Sequence, residues 1–344
     1  MFQVNEPQKP LFSVIIPLYN KAPYIKRAID SVLAQTIHDF EIIVVNDGST
    51  DGGENIVAEY SDSRIFLINQ KNSGVSVARN NGVNVANSDY IAFLDADDEW
   101  LPGFLNEIQN MINQYPYAGL YSTAVELVYG DRIERENHLI PTYKNVIEYN
   151  TNPIELNEYF RTCVLMGYSP ITSSSHVVTK DALKSVGYYN PTSHLSEDLE
   201  VWGKLAYTSV PIIYSFSIQS RIHVIAENKA TDRFFVQTHS PFVNYILSLS
   251  IETNADYSNN IWISKYISSL EILAAFNNIG AGNFNGAKTN LKYVSGDEYR
   301  IQKIILHLFC NLPFNIGKYG PICYNKLKKN KFFETIMSKL KIIN

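Results

Sequence analysis

Between Phe12 and Asp98 short apolar runs alternate with helical stretches, and this alternation limits the fold more than any other feature of the chain. The runs Phe12–Pro17, Phe40–Val45, Arg64–Asn69 and Tyr90–Leu94 read as strands, rich in Ile, Val and Phe. Pro23–Gln35, Glu54–Tyr60 and Val75–Ala86 read as helices. In the first of these, Tyr24, Ala28, Ile29, Val32 and Leu33 fall near helical spacing, with a proline at the start, where it is tolerated. Strands joined through helices pair in parallel and carry the helices on the sheet faces. Ligands of such sheets bind at the carboxyl ends of the strands. The polar clusters stand at those ends: Tyr19-Asn20, Asp47, Asn72-Ser73 and Asp95 to Asp98.

The last cluster is chemically the most unusual. Ile91-Ala92-Phe93-Leu94 reads as a buried strand and stops in Asp95, Asp97 and Asp98. Crowded carboxylates make each other harder to ionise, so a buried strand has no local use for them. At a strand end facing a crevice they can bind a divalent cation through oxygen ligands. The alternative is a solvated turn with an Asp-rich helix start.

With 344 residues and 45% hydrophobic content, the chain is long enough for one large soluble domain plus an appendage. A net charge of −5 offers nothing global for nucleic acid. Cys163, Cys310 and Cys323 show no C-x-x-C spacing, which argues against a disulfide framework or a zinc site and suits a reducing compartment. Met1 to Pro10 lacks a signal peptide's apolar core, and no apolar run approaches the roughly 20 residues that span a bilayer. The expected location is the cytoplasm. Downstream, Pro102–Tyr115 reads as a helix, Leu120–Val128, Ile171–Val178 and Val210–Ser217 as strands, and Asp181–Val186 as a short helix. Ser196–Tyr207 is a clearer helix: Leu199, Trp202 and Leu205 share a face, Ser196 stands where a cap is wanted, and Glu197 and Asp198 lie in the first turn. From about Ala226 the chain reads as mostly helical, which gives an expected division into residues 1–225 and 226–344.

A dinucleotide-binding sheet would carry G-x-G-x-x-G after a strand. Here Pro17-Leu18-Tyr19-Asn20 follows the first strand, and Gly48, Gly52 and Gly53 have the wrong spacing. A P-loop and a G-x-S-x-G nucleophile elbow are also missing from the sequence. The segments Ser13–Asn20, Phe40–Gly52, Asn72–Asn80 and Asp95–Asp98, in their order and spacing, together with Ser196-Glu197-Asp198-Leu199, resemble the family 2 glycosyltransferases. The resemblance runs from Ser13 to about residue 225 and implies a GT-A fold, an α/β sheet with flanking helices, here followed by a mainly helical C-terminal region. It implies inverting transfer of a sugar from a nucleotide-diphosphate donor, with Mn²⁺ or Mg²⁺ as cofactor.

Residue by residue, the resemblance assigns Pro17, Tyr19 and Asn20 to the first nucleotide-contacting loop and Asp47 to the base. A carboxylate suits the imide N–H of uracil, so a UDP-sugar is the expected donor. Tyr19 could equally be a packed loop aromatic, and Asp47 an Asx-turn before Gly48. Arg79 is assigned to the nucleotide's base or phosphate, against a surface ion pair as the alternative. Asp97 is assigned to the metal and Asp95 to ribose or metal. Asp98 is assigned to the donor sugar or to a helix cap, and His223 to a completing metal ligand or to a core histidine. Asp198 matches the catalytic base, with Glu197 beside it raising its pKa if both face the cleft. Otherwise the two are first-turn acids that favour the helix dipole. The Q-x-x-R-W motif of processive members is missing from the sequence, so one sugar per encounter is expected, to a glycan or lipid-linked acceptor in surface polysaccharide or glycolipid assembly.

Lys318 to Lys341 holds seven lysines and one acid, Glu334, interleaved with Phe332, Phe333, Ile336, Met337, Leu340 and Ile342. That is the pattern of a basic amphipathic helix on an anionic membrane, here the inner face of the plasma membrane, or of a packed helix with solvated lysines. Two other functions compete. A sugar-phosphate nucleotidyltransferase would want a Gly-rich basic loop where Pro17–Lys21 stands. A non-catalytic nucleotide-sugar-binding protein would not need Asp95, Asp97 and Asp198 together. The sugar, the linkage position and the oligomeric state are not encoded in any motif.

Overall fold

The computed structural model describes residues 9–135, 152–193, 195–225, 236, 238–253 and 260–311. The expected alternation is present as β1 (Phe12–Leu18), α1 (Ala22–Leu33), β2 (Phe40–Asp47), α2 (Gly53–Ala58), β3 (Ile65–Gln70), α3 (Val75–Val85) and β4 (Tyr90–Phe93). β1 pairs in parallel with β2 and β4, and β2 with β3, so that Ile15 stands opposite Ile43 on one side and Phe93 on the other. The apolar runs of β1 and β2 are continuous because these strands are covered on both faces, with every residue of β2 buried, while the edge strand β3 is only partly buried. α1 turns Ile25, Ala28, Ile29 and Val32 into the core. α3 lies against β1 and β2 through Ala78, Gly82 and Val83.

The sheet continues through β5 (Glu99–Trp100), β6 (Leu120–Tyr129), β7 (Arg132–Arg135), β8 (Ile154–Glu155), β9 (His176–Thr179) and β10 (Ile212–His223). Its order is β3-β2-β1-β4-β9-β6-β10-β5, with β7 beside β6 and β8 beside β10. β9 runs antiparallel to both β4 and β6, so the sheet is mixed. The helices α4 (Phe104–Gln114), α6 (Lys180–Ser185) and α7 (Glu197–Tyr207) flank this sheet among the described residues.

Two elements depart from their expected bounds. The strand expected over Ile171–Val178 begins only at His176, because Thr172 to Ser175 close on themselves: the Ser175 amide donates to the Thr172 carbonyl at 3.2 Å, and the Thr172 amide to the Ser175 hydroxyl at 3.1 Å. β10 runs past Ser217 to His223, through register shifts between Ser215, Ile218 and Ser220. There the side chains replace ladder bonds. The Phe216 amide donates to the Asn152 side chain at 2.9 Å, and the Ser217 amide to the Ser215 hydroxyl at 3.1 Å.

The chain divides into two compact units, residues 1–157 with 170–229, and residues 158–169 with 230–344. The described residues of the second unit are helical: α5 (Tyr159–Met166), α8 (Pro241–Thr253), α9 (Ile261–Gly280), α10 (Phe284–Lys292), a 3₁₀ turn at Asp297–Tyr299, and α11 (Arg300–Asn311). It takes α5 from well before residue 226 because Tyr159 and Phe160 pack on Phe242 and Tyr266, with ring centroids 5.3 to 6.1 Å apart. Its buried polar centre is the fully buried Glu271, which accepts from Asn290 at 2.8 Å and from the Ser240 amide at 3.2 Å, and lies 2.9 Å from His239 Nδ1. A buried carboxylate so partnered fixes the register of α9 and α10 at the start of α8. Among the described residues no helix is long and apolar enough to cross a membrane. The lysine-rich Lys318–Lys341 segment lies outside the described residues.

A methyl group added at Gly82 would stand 2.5 Å from Cγ2 of the fully buried Ile15. Gly82→Ala is therefore expected to lower stability by about 1–3 kcal/mol through overpacking, despite the better helix propensity of alanine. Chemical denaturation would show the midpoint falling with an unchanged slope.

Candidate active site

The carboxyl ends of β1 and β2 are stitched together. Asn20, at φ 52°, accepts from the Thr50 amide at 2.8 Å and donates its own amide to the Ser49 hydroxyl at 3.1 Å. Pro17 lies opposite Val45 in the β1–β2 ladder, and Tyr19 is 39% exposed at the edge. Asp47 is buried, and both its oxygens are engaged. Oδ1 accepts from Gln70 and the Ser73 amide, each at 2.7 Å, and Oδ2 from the Gly74 amide at 2.9 Å. The turn approaches so closely that a Cβ on Gly48, at φ 70°, would meet the Asn72 amide nitrogen at 2.8 Å. Asp47 therefore anchors the 72–74 turn that starts α3.

Arg79 is buried, so the surface ion pair does not describe it. Its side chain is 3% exposed, with Nη1 donating to Glu197 Oε1 at 2.8 Å and Nη2 to Asp95 Oδ1 at 2.9 Å. The guanidinium also lies 5.1 Å from the Tyr189 ring centroid. One planar fork thus ties α3 to the acidic turn and to the head of α7.

Asp98 is buried, with Oδ2 accepting from Ser174 Oγ at 2.6 Å and Oδ1 from the His223 amide at 2.9 Å. Burial, with the charges of Asp97 and Asp95, pushes its pKa up to about 8 against those hydrogen bonds. Asp95, also raised by burial and partly offset by Arg79, donates its amide to Ser174 Oγ at 3.1 Å. Asp97 pairs with the Lys21 ammonium at 2.8 Å, and its carbonyl accepts from Arg27. His223 meets the cluster through its backbone, while its Nε2 lies 3.0 Å from Glu99 Oε1.

At the head of α7, Ser196 adopts φ 63° and makes no side-chain cap, contrary to expectation; its carbonyl accepts from the Glu200 amide at 3.1 Å. Asp198 turns one oxygen to Ser173 Oγ at 3.1 Å and the other to the Leu199 amide at 2.7 Å. Burial and the adjacent Glu197 charge push its pKa up to about 6, with Arg79 pulling the other way. The expected upward influence of Glu197 is present, second to burial.

The turn at Ser173-Ser174 was not singled out in the sequence, yet it joins the site. Ser173 holds Asp198, and Ser174 holds Asp98 and Asp95. The Ser174 carbonyl also accepts from Trp100 Nε1 at 2.7 Å and from Ser220 at 2.9 Å. Its only sequence signal is four hydroxyl residues interrupting an apolar run. The neutral core histidine His176 packs beneath it, its pKa pushed down to about 4 by burial.

A mostly parallel sheet whose strand ends present Asp95-Ala96-Asp97, with a helix-borne Asp198 held to the same turn, has the GT-A fold. The fold matches that of TarS residues 1–349 from S. aureus, solved with UDP-GlcNAc, at a TM-score of 0.62 and 18% identity, covering 92% of this chain and 91% of that one. It also matches a mannosyltransferase of Pyrobaculum calidifontis, solved with GDP-Man and Mn²⁺, at a TM-score of 0.53 and 16% identity over 97% and 85% of the two chains. Residues 13–171 match the family model described as Glycosyl transferase family 2, which makes this segment a family 2 glycosyltransferase region. An uncharacterized glycosyltransferase of Rickettsia typhi is 31% identical over 215 residues, 62% of this chain and 64% of its own length. The putative teichuronic acid biosynthesis glycosyltransferase TuaG of Bacillus subtilis is 46% identical over 95 residues, 27% of this chain and 38% of its own. The chain thus spans less than two thirds of the length of these curated relatives.

Removing Arg79 leaves Glu197 and Asp95 facing each other without their cation. Arg79→Met is expected to cost about 3–5 kcal/mol of stability, and Arg79→Lys to recover only part of it, because an ammonium cannot fork to both carboxylates. Thermal melts of the three proteins at one pH check the ranking.

Proposed function

We propose that this chain transfers a sugar from a UDP-linked donor to an acceptor hydroxyl by a single displacement with inversion at the anomeric carbon. The observation that carries the proposal is Asp198. It is a carboxylate oriented by Ser173 and the Leu199 amide, with its pKa near 6, held through one serine turn to the carboxylates at the strand ends. A base with a pKa near the working pH is mostly ionised yet still takes up a proton readily. Asp198 accepts the acceptor's proton as its oxygen bonds to C1, and the bond from C1 to the nucleoside diphosphate breaks with its electron pair.

The carboxylate oxygens of Asp97 and of the one-third-exposed Asp95 are hard donors of the kind Mg²⁺ or Mn²⁺ takes, and Asp97 already holds a cationic group. Such an ion, when bound, supplies positive charge to the departing diphosphate. Tyr19 offers the base an open aromatic face, while Asp47 shapes the nucleotide site by fixing the 72–74 turn. Arg79 and Asp98 act by positioning, since both are taken up by protein partners. The neighbours solved with UDP-GlcNAc and with GDP-Man and Mn²⁺ support a nucleotide-sugar donor, and the teichuronic acid relative supports a glycan or lipid-linked acceptor. Peripheral membrane contact through Lys318–Lys341 would bring the site to such an acceptor, and co-sedimentation with anionic liposomes tests it.

Calorimetry with UDP, GDP and dTDP, each with Mn²⁺ and with EDTA, is expected to show manganese-dependent binding of UDP. Binding of none of the three would overturn the proposal. Asp198→Asn is expected to keep UDP affinity and to lose turnover by about 10²–10⁴-fold. In the wild type, kcat/KM is expected to fall as the pH drops below about 6, where Asp198 takes up its proton. The same carboxylate affects stability. Its folded pKa lies above the unfolded value, so its ionised form disfavours the fold above about pH 6. Asp198→Asn should therefore raise Tm at pH 8, with the gain shrinking as the pH falls through 6.

A further inference from the structure

Asp97 is held by a cation that belongs to the chain. Lys21 Nζ lies 2.8 Å from Asp97 Oδ2, and the two side chains are 11% and 14% exposed. The root of Lys21 is fixed, because its carbonyl accepts from the Tyr24 and Ile25 amides at 2.9 and 3.0 Å at the start of α1. Its ammonium, at the end of a four-carbon stem, lies 5.7 Å from the Tyr24 ring centroid. Asn20, the neighbouring residue, is stitched to the loop after β2, so Lys21 stands at the strand-end edge, where a donor's diphosphate would lie. A divalent ion bound to Asp97 would come within a few ångströms of this ammonium, and like charges at that range in a poorly hydrated site repel strongly. Lys21 and a divalent cation therefore exclude each other at Asp97.

On the reading of the site given under Proposed function, we infer that Lys21 is an exchangeable counter-ion. It occupies Asp97 while the donor site is empty and moves to the diphosphate when nucleotide binds, so that nucleotide and divalent cation bind cooperatively. The coupling is reciprocal, as any linkage of two binding equilibria must be. The exchange also keeps Asp97 neutralised at every stage, so the buried edge never carries its full negative charge.

The test is Mn²⁺ binding to the full chain, followed by the loss of the free-ion paramagnetic resonance signal, with and without UDP. The proteins are wild type, Lys21→Met, Lys21→Arg and Asp97→Ala. Lys21→Met is expected to bind Mn²⁺ alone about tenfold more tightly than wild type, and the enhancement of Mn²⁺ binding by UDP to shrink by a similar factor. Lys21→Arg, which keeps the charge, should stay close to wild type. If Lys21→Met fails to fold, Lys21→Gln, neutral but still able to donate to Asp97, takes its place with the same expectation. Unchanged or weaker Mn²⁺ binding in the neutral variant, with binding lost in Asp97→Ala, would overturn this inference and leave the metal site standing. Undiminished binding in Asp97→Ala would overturn both.

Discussion

The candidate site depends on one buried cation. Asp95 and Glu197 belong to different elements and are brought together with Arg79 between them. Without a positive charge at that point, the turn after β4 and the head of α7 would repel each other across a poorly hydrated gap. The guanidinium suits the place because it cannot lose its proton and because its fork presents two parallel edges. Asp198 gains its orientation as a by-product, since it follows Glu197 and so projects from a helix end already fixed in position. The chain thus uses a guanidinium to assemble Asp95 and Glu197, and the single-point ammonium of Lys21 to hold Asp97.

Placing acids this way has an energetic consequence that is visible in the hydrogen bonds. Asp98 is kept in a buried position by Ser174 and the His223 amide although its ionised form is disfavoured there. Asp198 is treated similarly, with weaker burial and a smaller rise. These groups reduce the stability of the fold at neutral pH. The large parallel core, with fully buried residues through β1 and β2, offsets them.

Much of this was legible in the sequence, for a definite reason. β1, β2 and β4 are largely buried on both faces, so their residues are mostly apolar, and their ends are polar where the chain leaves the core; the edge strand β3 is only partly buried. Period and composition therefore mark both the strands and the edge that binds ligand. Asp95, Asp97 and Asp198 stand out because acids at those places have no packing role. The pairings were not legible. Nothing in the spacing of Arg79 shows that it meets Glu197, 118 residues away, rather than solvent. Ser173 and Ser174 looked like the start of a strand because only tertiary hydrogen bonds distinguish a hydroxyl-rich turn from a polar strand end. β5 and β8 are two-residue strands, too short to carry a period. The assignment of α5 to the helical unit rests on rings far apart in sequence.

β9 runs against its neighbours, with Val177 beside Ala92 and Thr179 beside Tyr90. In an all-parallel sheet only the segments leaving strands reach the ligand edge, and the segments entering them are confined to the opposite rim. One inverted strand breaks that rule. The Ser173-Ser174 turn arrives at the edge as an incoming segment and sits between the outgoing acidic turn and α7. Such a geometry lets loops of opposite chain direction meet at one edge, so that the carboxylates of the outgoing turn and of α7 are held by hydroxyls that arrive from the incoming side.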